Sequence, residues 1–414
     1  MIINLATVLV MGHYHAPTLW ENGGIAKNLF DGIGFTMSFS LPYEPTSWQA
    51  PGYPWLLAAA WQLVGVNPKA YLLISLLQSI ALASIVFPVR WLAGRWFGPD
   101  TAVLAGYIAA IVPIYAWYAT RLHHTALVMA FHPWLLSAWL DLHDHPTPLR
   151  LLATGAVTGI AGLFQPVLLA VFGSLSSVML LHAGMIKQWR TAAVLLIAGL
   201  ITLMVLTPWT VRNYLVHNHV LLVKDSFGKE LWMGNNPHAT GTGYVLGGRE
   251  EITNIHPPAS FAQRGRVPEI LLMNALQREA WEYIIAEPGI FVQRTLKKIL
   301  WYWTITPRDY VRSGAGGEAL KFRWLHAGYW TLLVGLFAIC LMSTLARPRE
   351  YLGVLLLYVV VYSLVYGLTH VGQARFRGEI EFIFLPGAAA GLCWLLLRIS
   401  SAWSKMLGKA DDKR

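Results

Sequence analysis

TAAVLLIAGLITLMVLTPW, residues 191–209, carries no charged side chain and then runs into Thr210-Val211-Arg212-Asn213-Tyr214. A bilayer span needs about 20 apolar residues, and this stretch supplies them almost alone. Similar runs lie near 1–11, 70–92, 101–119, 124–140, 151–171, 172–186, 325–345, 351–369 and 380–397, with a turn expected in 165–175. Together they predict an all-α polytopic membrane protein of about ten transmembrane helices. Residues 1–11 are short and lack a basic flank, which predicts a first helix that begins upstream of Met1.

Composition agrees. Of 414 residues, 56% are hydrophobic and 13% charged, and the mean hydropathy is +0.49. Soluble domains carry about 25% charged residues, so too little polar surface remains here to cover a body in water. The net charge of +10 does not indicate nucleic acid. Its Lys and Arg sit at the ends of apolar runs, where they set membrane orientation. Arg90, Arg95, Arg150, Lys187, Arg190, Arg347, Arg349 and the tail from Arg398 to Arg414 fall on one side, predicted cytoplasmic with the C-terminus. The short opposite loops hold little more than Lys69 and Arg121. Cys340 and Cys393 lie inside apolar runs and read as small core residues. The organisation expected is a transmembrane region 1–209 with an external loop at 12–69, an extracytoplasmic region 210–324 with interfacial helices, and C-terminal helices with a basic tail at 325–414.

The external segments have their own helix signals. Thr18-Leu19-Trp20-Glu21 reads as a capping box and Gly32 as the stop. Pro51 to Val64 reads as an amphipathic helix ending at Gly65. Pro268 at a first helical position opens 269–286, and Pro288-Gly289 closes it. Residues 290–304 set Arg294, Lys297 and Lys298 against Phe291, Leu300, Trp301 and Trp303, as in a helix lying on a membrane surface.

Neither phosphate-binding loop, dinucleotide fingerprint, metal-ligand spacing nor serine elbow is present. The informative residues cluster at the outer face. Glu21 is either the capping-box acid or a general base. Pro45-Thr46-Ser47-Trp48-Gln49-Ala50-Pro51-Gly52-Tyr53-Pro54 is either a plain turn or a substrate-facing loop with Trp48 or Tyr53 as a stacking platform. Arg212 either snorkels to the interface or binds substrate. In His370-Val371-Gly372-Gln373-Ala374-Arg375-Phe376-Arg377-Gly378-Glu379-Ile380-Glu381, two arginines stand on the side the charge bias leaves empty. They either pair with the glutamates or hold an external phosphate with their planar forks of donors. His123-His124 and His132 have no carboxylate at ligand spacing, so no metal residue is assigned; the cofactor is left unknown.

These residues resemble the polytopic GT-C glycosyltransferases that use polyprenyl-phosphate sugars. That superfamily includes the protein O-mannosyltransferases and lipid A aminoarabinose transferases, and the chain looks closest to the glycosyltransferase family 39-like branch. The resemblance covers essentially the whole chain. It rests on Glu21 followed by Ile25-Ala26-Lys27-Asn28-Leu29-Phe30-Asp31-Gly32-Ile33-Gly34-Phe35, on Pro45 to Pro54, on Pro208 to Tyr214, on Glu230 to Asn236, and on Arg375-Phe376-Arg377. Five motifs in order are more specific than any one alone. Where better-known members have an Asp-Glu pair, this chain has Thr18 near the aspartate position and Glu21 a turn later. Their His-Pro-Pro or Lys-Pro-Pro is Gln49-Ala50-Pro51 here.

The resemblance implies a GT-C helical bundle and an inverting hexosyl- or pentosyltransferase. It would move one sugar from a polyprenyl phosphate to a hydroxyl of a lipid, glycan or protein acceptor. Such transfer passes through an oxocarbenium-like state. Glu21 is the expected base; Arg375, Arg377 and Arg212 are the expected donor-phosphate ligands. Trp48, Gln49, Tyr53, Asn213, Asn235 and His370 are expected to touch substrate. The implied location is a bacterial inner membrane with the site on its outer side, among membrane lipids. The rival class is a transporter or flippase of the same sugar lipid, against which stands the lack of an inverted repeat or a broken mid-membrane helix pair.

Overall fold

The computed structural model describes residues 1–243, 250–304, 317–343, 349–371 and 374–411. Among them, seven helices are long and apolar enough to cross a bilayer: Pro68–Phe97, Thr125–Asp144, Val167–Met185, Trp189–His217, Trp324–Met342, Arg349–Thr369 and Glu381–Ser401. Pro99–Ala110 and Pro113–Ala119 meet at 43° and make an eighth if counted as one span, so a broken helix pair is present where the sequence showed none. The chain is a multi-pass membrane protein, but ten spans are not reached. Ile2–Met11 has 10 residues and Pro148–Gly162 has 15, against the roughly 20 a hydrocarbon core requires. The chain between the 151–171 and 172–186 runs turns at 163–166, earlier than expected, because Pro166 caps the helix Val167–Met185.

Small residues let these helices approach closely, as packing within lipid favours. A Cβ on Gly155 would lie 2.6 Å from the Ala198 carbonyl oxygen, and one on Gly391 would lie 2.0 Å from that of Leu336. The Thr202 hydroxyl adds a bond to the Gly155 carbonyl at 3.0 Å. At one end of the bundle Arg95 joins three spans, bonding Glu350 through Nε at 2.6 Å and pairing with Asp144. Trp96 donates to the same Glu350 at 2.8 Å.

The segments at the other end fold into short helices and one two-stranded antiparallel pair, Thr36–Met37 against Glu44–Pro45. Helix Gly52–Val64 begins after Pro51 and stops at Gly65, whose φ of 81° suits glycine, as expected. The capping box is not formed. Helix Trp20–Phe30 is capped by Leu19 with no side-chain cap bond. Trp20 has φ 47°, so the chain turns sharply just inside Thr18. Pro268 is the cap of Glu269–Ala286 rather than its first residue, and Pro288 opens the next helix, Pro288–Trp303, rather than closing this one. That next helix exposes Val292, Leu296 and Leu300, but Lys298 is fully buried. Its ammonium group lies 3.4 Å from the Asn235 side-chain oxygen and 3.5 Å from the Gly234 carbonyl, so it faces inward and not toward lipid.

Substituting Gly391 by alanine forces Cβ into the Leu336 carbonyl. It is expected to destabilise the protein by about 1–3 kcal/mol, read as a lower melting temperature in detergent.

Candidate functional site

The segment that shapes the site is Glu44 to Gln49. Glu44 accepts the backbone N–H groups of Ser40 at 2.9 Å, Leu41 at 2.8 Å and Glu269 at 2.8 Å. It thereby places an anion at the N-terminus of helix Glu269–Ala286, where the helix dipole favours one. Glu269 reciprocates. Its two oxygens accept the Thr46 hydroxyl at 2.6 Å and the Ser47 N–H at 3.0 Å. The Ser47 hydroxyl donates to Asn213 at 2.8 Å, and its carbonyl accepts the Asp225 N–H at 2.7 Å. Arg212 donates to the Thr46 carbonyl at 2.7 Å and the Phe35 carbonyl at 3.0 Å, with its guanidinium 4.8 Å from the Trp209 ring.

Burial pushes the Glu269 carboxyl up to about 7, against the pull of the bonds from Thr46 and Ser47. Burial likewise pushes Asp225 up to about 7. Neither shift requires a bound ligand; both follow from a carboxyl removed from water.

This pinned segment delivers Trp48 and Gln49 to the wall of a cavity of about 470 Å³. The cavity opens among the N-terminal ends of Thr125–Asp144 and Val167–Met185, the C-terminal end of Arg349–Thr369, and helix Phe227–Gly234. That is the end of the bundle opposite the Arg95 cluster. Glu21 lines it, exposed, and makes no side-chain hydrogen bond or ion pair among the described residues. Lys224, Lys229, Glu230 and His370 line it as well. Lys229 stands 4.8 Å from the Trp48 ring. His370 pairs with Glu230 at 2.5 Å. Burial opposes the charge on Glu230, but His370, Lys224 and Lys229 outweigh it and hold the carboxyl down to about 2. Tyr366 and Phe376 stack at 4.1 Å and close the apolar side.

Of the residues expected from the sequence, Glu21, Trp48, Gln49 and His370 therefore come together. Others do not reach the cavity. The fork of Arg212 is spent on carbonyls. Arg377 is fully buried, pairs with Glu381 at 3.1 Å and lies 4.1 Å from the Trp330 ring. Glu381 also meets His326 at 3.0 Å, so the arginine charge is balanced internally, as the pairing alternative had it. The side chain of Arg375 lies outside the described residues. Tyr53 is buried and donates to Gln78 at 2.6 Å. Asn213 bonds the carbonyls of Leu221 and Val223, and Asn235 those of Leu231 and Leu368. Trp48 is 3% exposed and packs 4.0 Å from Phe39, so it is more wall than platform. Lys224 and Lys229 are not among the residues expected from the sequence, although Lys229 directly precedes the Glu230 to Asn236 motif. Nor are His123 and His124, whose rings lie 4.1 Å apart on the cavity wall. Among the described residues, no three His, Cys, Asp or Glu side chains gather closely enough to hold a metal ion.

Residues 48–211 match the family model described as dolichyl-phosphate-mannose-protein mannosyltransferase. No curated protein matches the chain by sequence. Among solved structures, an archaeal oligosaccharyltransferase from Archaeoglobus fulgidus in complex with zinc and sulfate is 12% identical with a TM-score of 0.53, over 99% of this chain and 51% of that one. The oligosaccharyltransferase AglB of the same organism, in complex with an inhibitory peptide and a dolichol-phosphate, is 13% identical with a TM-score of 0.51 and the same coverage. This chain thus spans about half the length of those proteins. ArnT from Cupriavidus metallidurans, bound to undecaprenyl phosphate, is 15% identical with a TM-score of 0.41, over 94% of this chain and 76% of that one.

Glu269 gives a pH prediction. Its carboxyl titrates near 4.5 when unfolded and at about 7 when folded, so between those values the folded state keeps a proton the unfolded chain has lost. Its contribution to stability is present below about 4.5 and is lost as pH rises toward 7. Melting curves of Glu269→Gln are expected to decline less over that window than those of wild type.

Proposed function

We propose that this chain is a GT-C-type glycosyltransferase, a reading supported by the family-model match over residues 48–211 and by the fold likeness to the oligosaccharyltransferases, and that it transfers one sugar from a polyprenyl phosphate to an acceptor hydroxyl with inversion at the anomeric carbon. One observation carries the reading: Glu21, a carboxylate without a side-chain partner among the described residues, lines the same cavity as Lys224, Lys229 and His370. The carboxylate suits the acceptor and the cations suit the donor. The acceptor oxygen attacks the anomeric carbon, the bond from that carbon to the phosphate oxygen breaks, and its electron pair leaves on the phosphate. The hydroxyl proton passes to Glu21. Phosphate is already a good leaving group, so what it needs from the protein is countercharge, and Lys224 and Lys229 on the cavity wall are its source. Arg212 and Arg377 have no part in this version of the site.

The polyprenyl chain would lie along the apolar wall formed by Val167, Ala170, Val365, Tyr366 and Phe376, where the cavity meets the spans. The predicted sidedness follows from the basic residues at the opposite end and sets the cavity on the outer face of the membrane.

Two substitutions test this with purified protein and a radiolabelled undecaprenyl-phosphate sugar. Glu21→Gln is expected to lower the transfer rate about 10²–10⁴-fold while leaving the lipid bound. Lys229→Met is expected to weaken lipid binding about tenfold by removing a charge-assisted bond. Equal turnover by Glu21→Gln and wild type would remove Glu21 as the base.

A further inference from the structure

We infer that the Glu21 side of the cavity is a subsite for a saccharide ring, so that the acceptor is a carbohydrate hydroxyl rather than a serine or threonine of a peptide; this rests on the transferase reading above. The first observation is Trp20. It holds φ at 47°, a left-handed backbone that a bulky residue adopts only at a cost. Yet its indole is 50% exposed and lines the cavity, so burial of the ring does not repay that cost. What the turn achieves is presentation: Trp20 and Glu21 both reach the cavity from the first turn of one helix. The indole is steadied edge-on by His123 at 5.5 Å and 87°, and His123 is itself held by the Thr125 hydroxyl at 2.9 Å.

The second observation is independent. Gln165 sits in the turn between two membrane helices, is 8% exposed, and lines the same cavity. Its carboxamide makes no hydrogen bond among the described residues. The amide is open to the cavity, so its donors and acceptor are free to meet a ligand there. Gln49 adds a second carboxamide on the wall that is likewise without a side-chain partner among the described residues.

An aromatic face beside planar amides and a carboxylate is the chemistry that recognises a pyranose. The axial C–H groups of the sugar lie on the ring, and each amide offers a donor and an acceptor at the spacing of vicinal hydroxyls. Carboxamides also pair with a peptide backbone, so the exposed indole is what discriminates: it offers a stacking face that a sugar ring uses and a seryl or threonyl hydroxyl does not. Glu21, adjacent to Trp20 in sequence, would then face the hydroxyl of the stacked ring.

The test uses the full chain in lipid nanodiscs. Methyl glycosides of gluco, manno and galacto configuration and a serine/threonine peptide are titrated separately, with saturation-transfer difference NMR as the readout. At least one glycoside is expected to bind through its ring protons. Trp20→Ala should weaken it about tenfold, and Trp20→Phe should restore most of the affinity. Undecaprenyl phosphate binding, followed by native mass spectrometry, shows whether each variant is folded. Binding of the peptide but of no glycoside, or glycoside affinity unchanged in a folded Trp20→Ala, would overturn the inference. Failure of the wild type to bind undecaprenyl phosphate would instead sink the donor reading and leave the glycoside result to be judged alone.

Discussion

The cavity depends on how the backbone from Glu44 to Ser47 is satisfied. Glu44, Thr46 and Ser47 are buried, so their polar groups have little water to meet. Each unpaired group would cost on the order of 1–3 kcal/mol. Glu269 takes two of them, Arg212 and Asn213 two more, and Asp225 the Ser47 carbonyl. Four stretches of the chain are tied together at one point, and two of them carry cavity walls: Trp48 and Gln49 on one, Lys224 to Lys229 on the other. The polar knot is therefore also the frame of the site.

The same frame explains why the partners of Arg212 and Arg377 were not legible in the sequence. An arginine at a membrane boundary has the same surroundings in sequence whether its fork meets a lipid phosphate or a set of carbonyls. Arg212 meets carbonyls, and Arg377 meets Glu381. Only the fold decides, because the partners of Arg212 lie more than 160 residues away. The lysines that do line the cavity gave no signal, since Lys224 precedes, and Lys229 stands in the first turn of, a helix of only eight residues, Phe227–Gly234, too short to show a periodicity. Glu21 was legible, but for a partly mistaken reason. The capping box that made it conspicuous does not form, and that failure leaves its carboxylate available.

The fold class itself was plain in the apolar runs, and most spans fall where those runs lie. The count was not, because hydropathy cannot distinguish a full span from a 15-residue helix such as Pro148–Gly162. The break at 163–166 was partly visible in Pro166. The positive φ at Trp20 was invisible, because nothing in Leu19-Trp20-Glu21 announces a residue type suited to that conformation.

Helix Trp189–His217 has 29 residues, about 43 Å at 1.5 Å per residue, which is longer than a hydrocarbon core of about 30 Å. Its last turns stand outside the lipid as a rigid post bearing Arg212, Asn213 and His217. Each residue along it advances the azimuth by about 100°. The membrane half of this helix therefore sets the phase of the knot. One residue added between 191 and 209 would turn Arg212 and Asn213 away from Thr46 and Ser47, although hydropathy would scarcely change. Span length, usually treated as a match to bilayer thickness, is here also an angular coordinate, and only insertions close to a whole number of turns, about 7 or about 11 residues, would restore it.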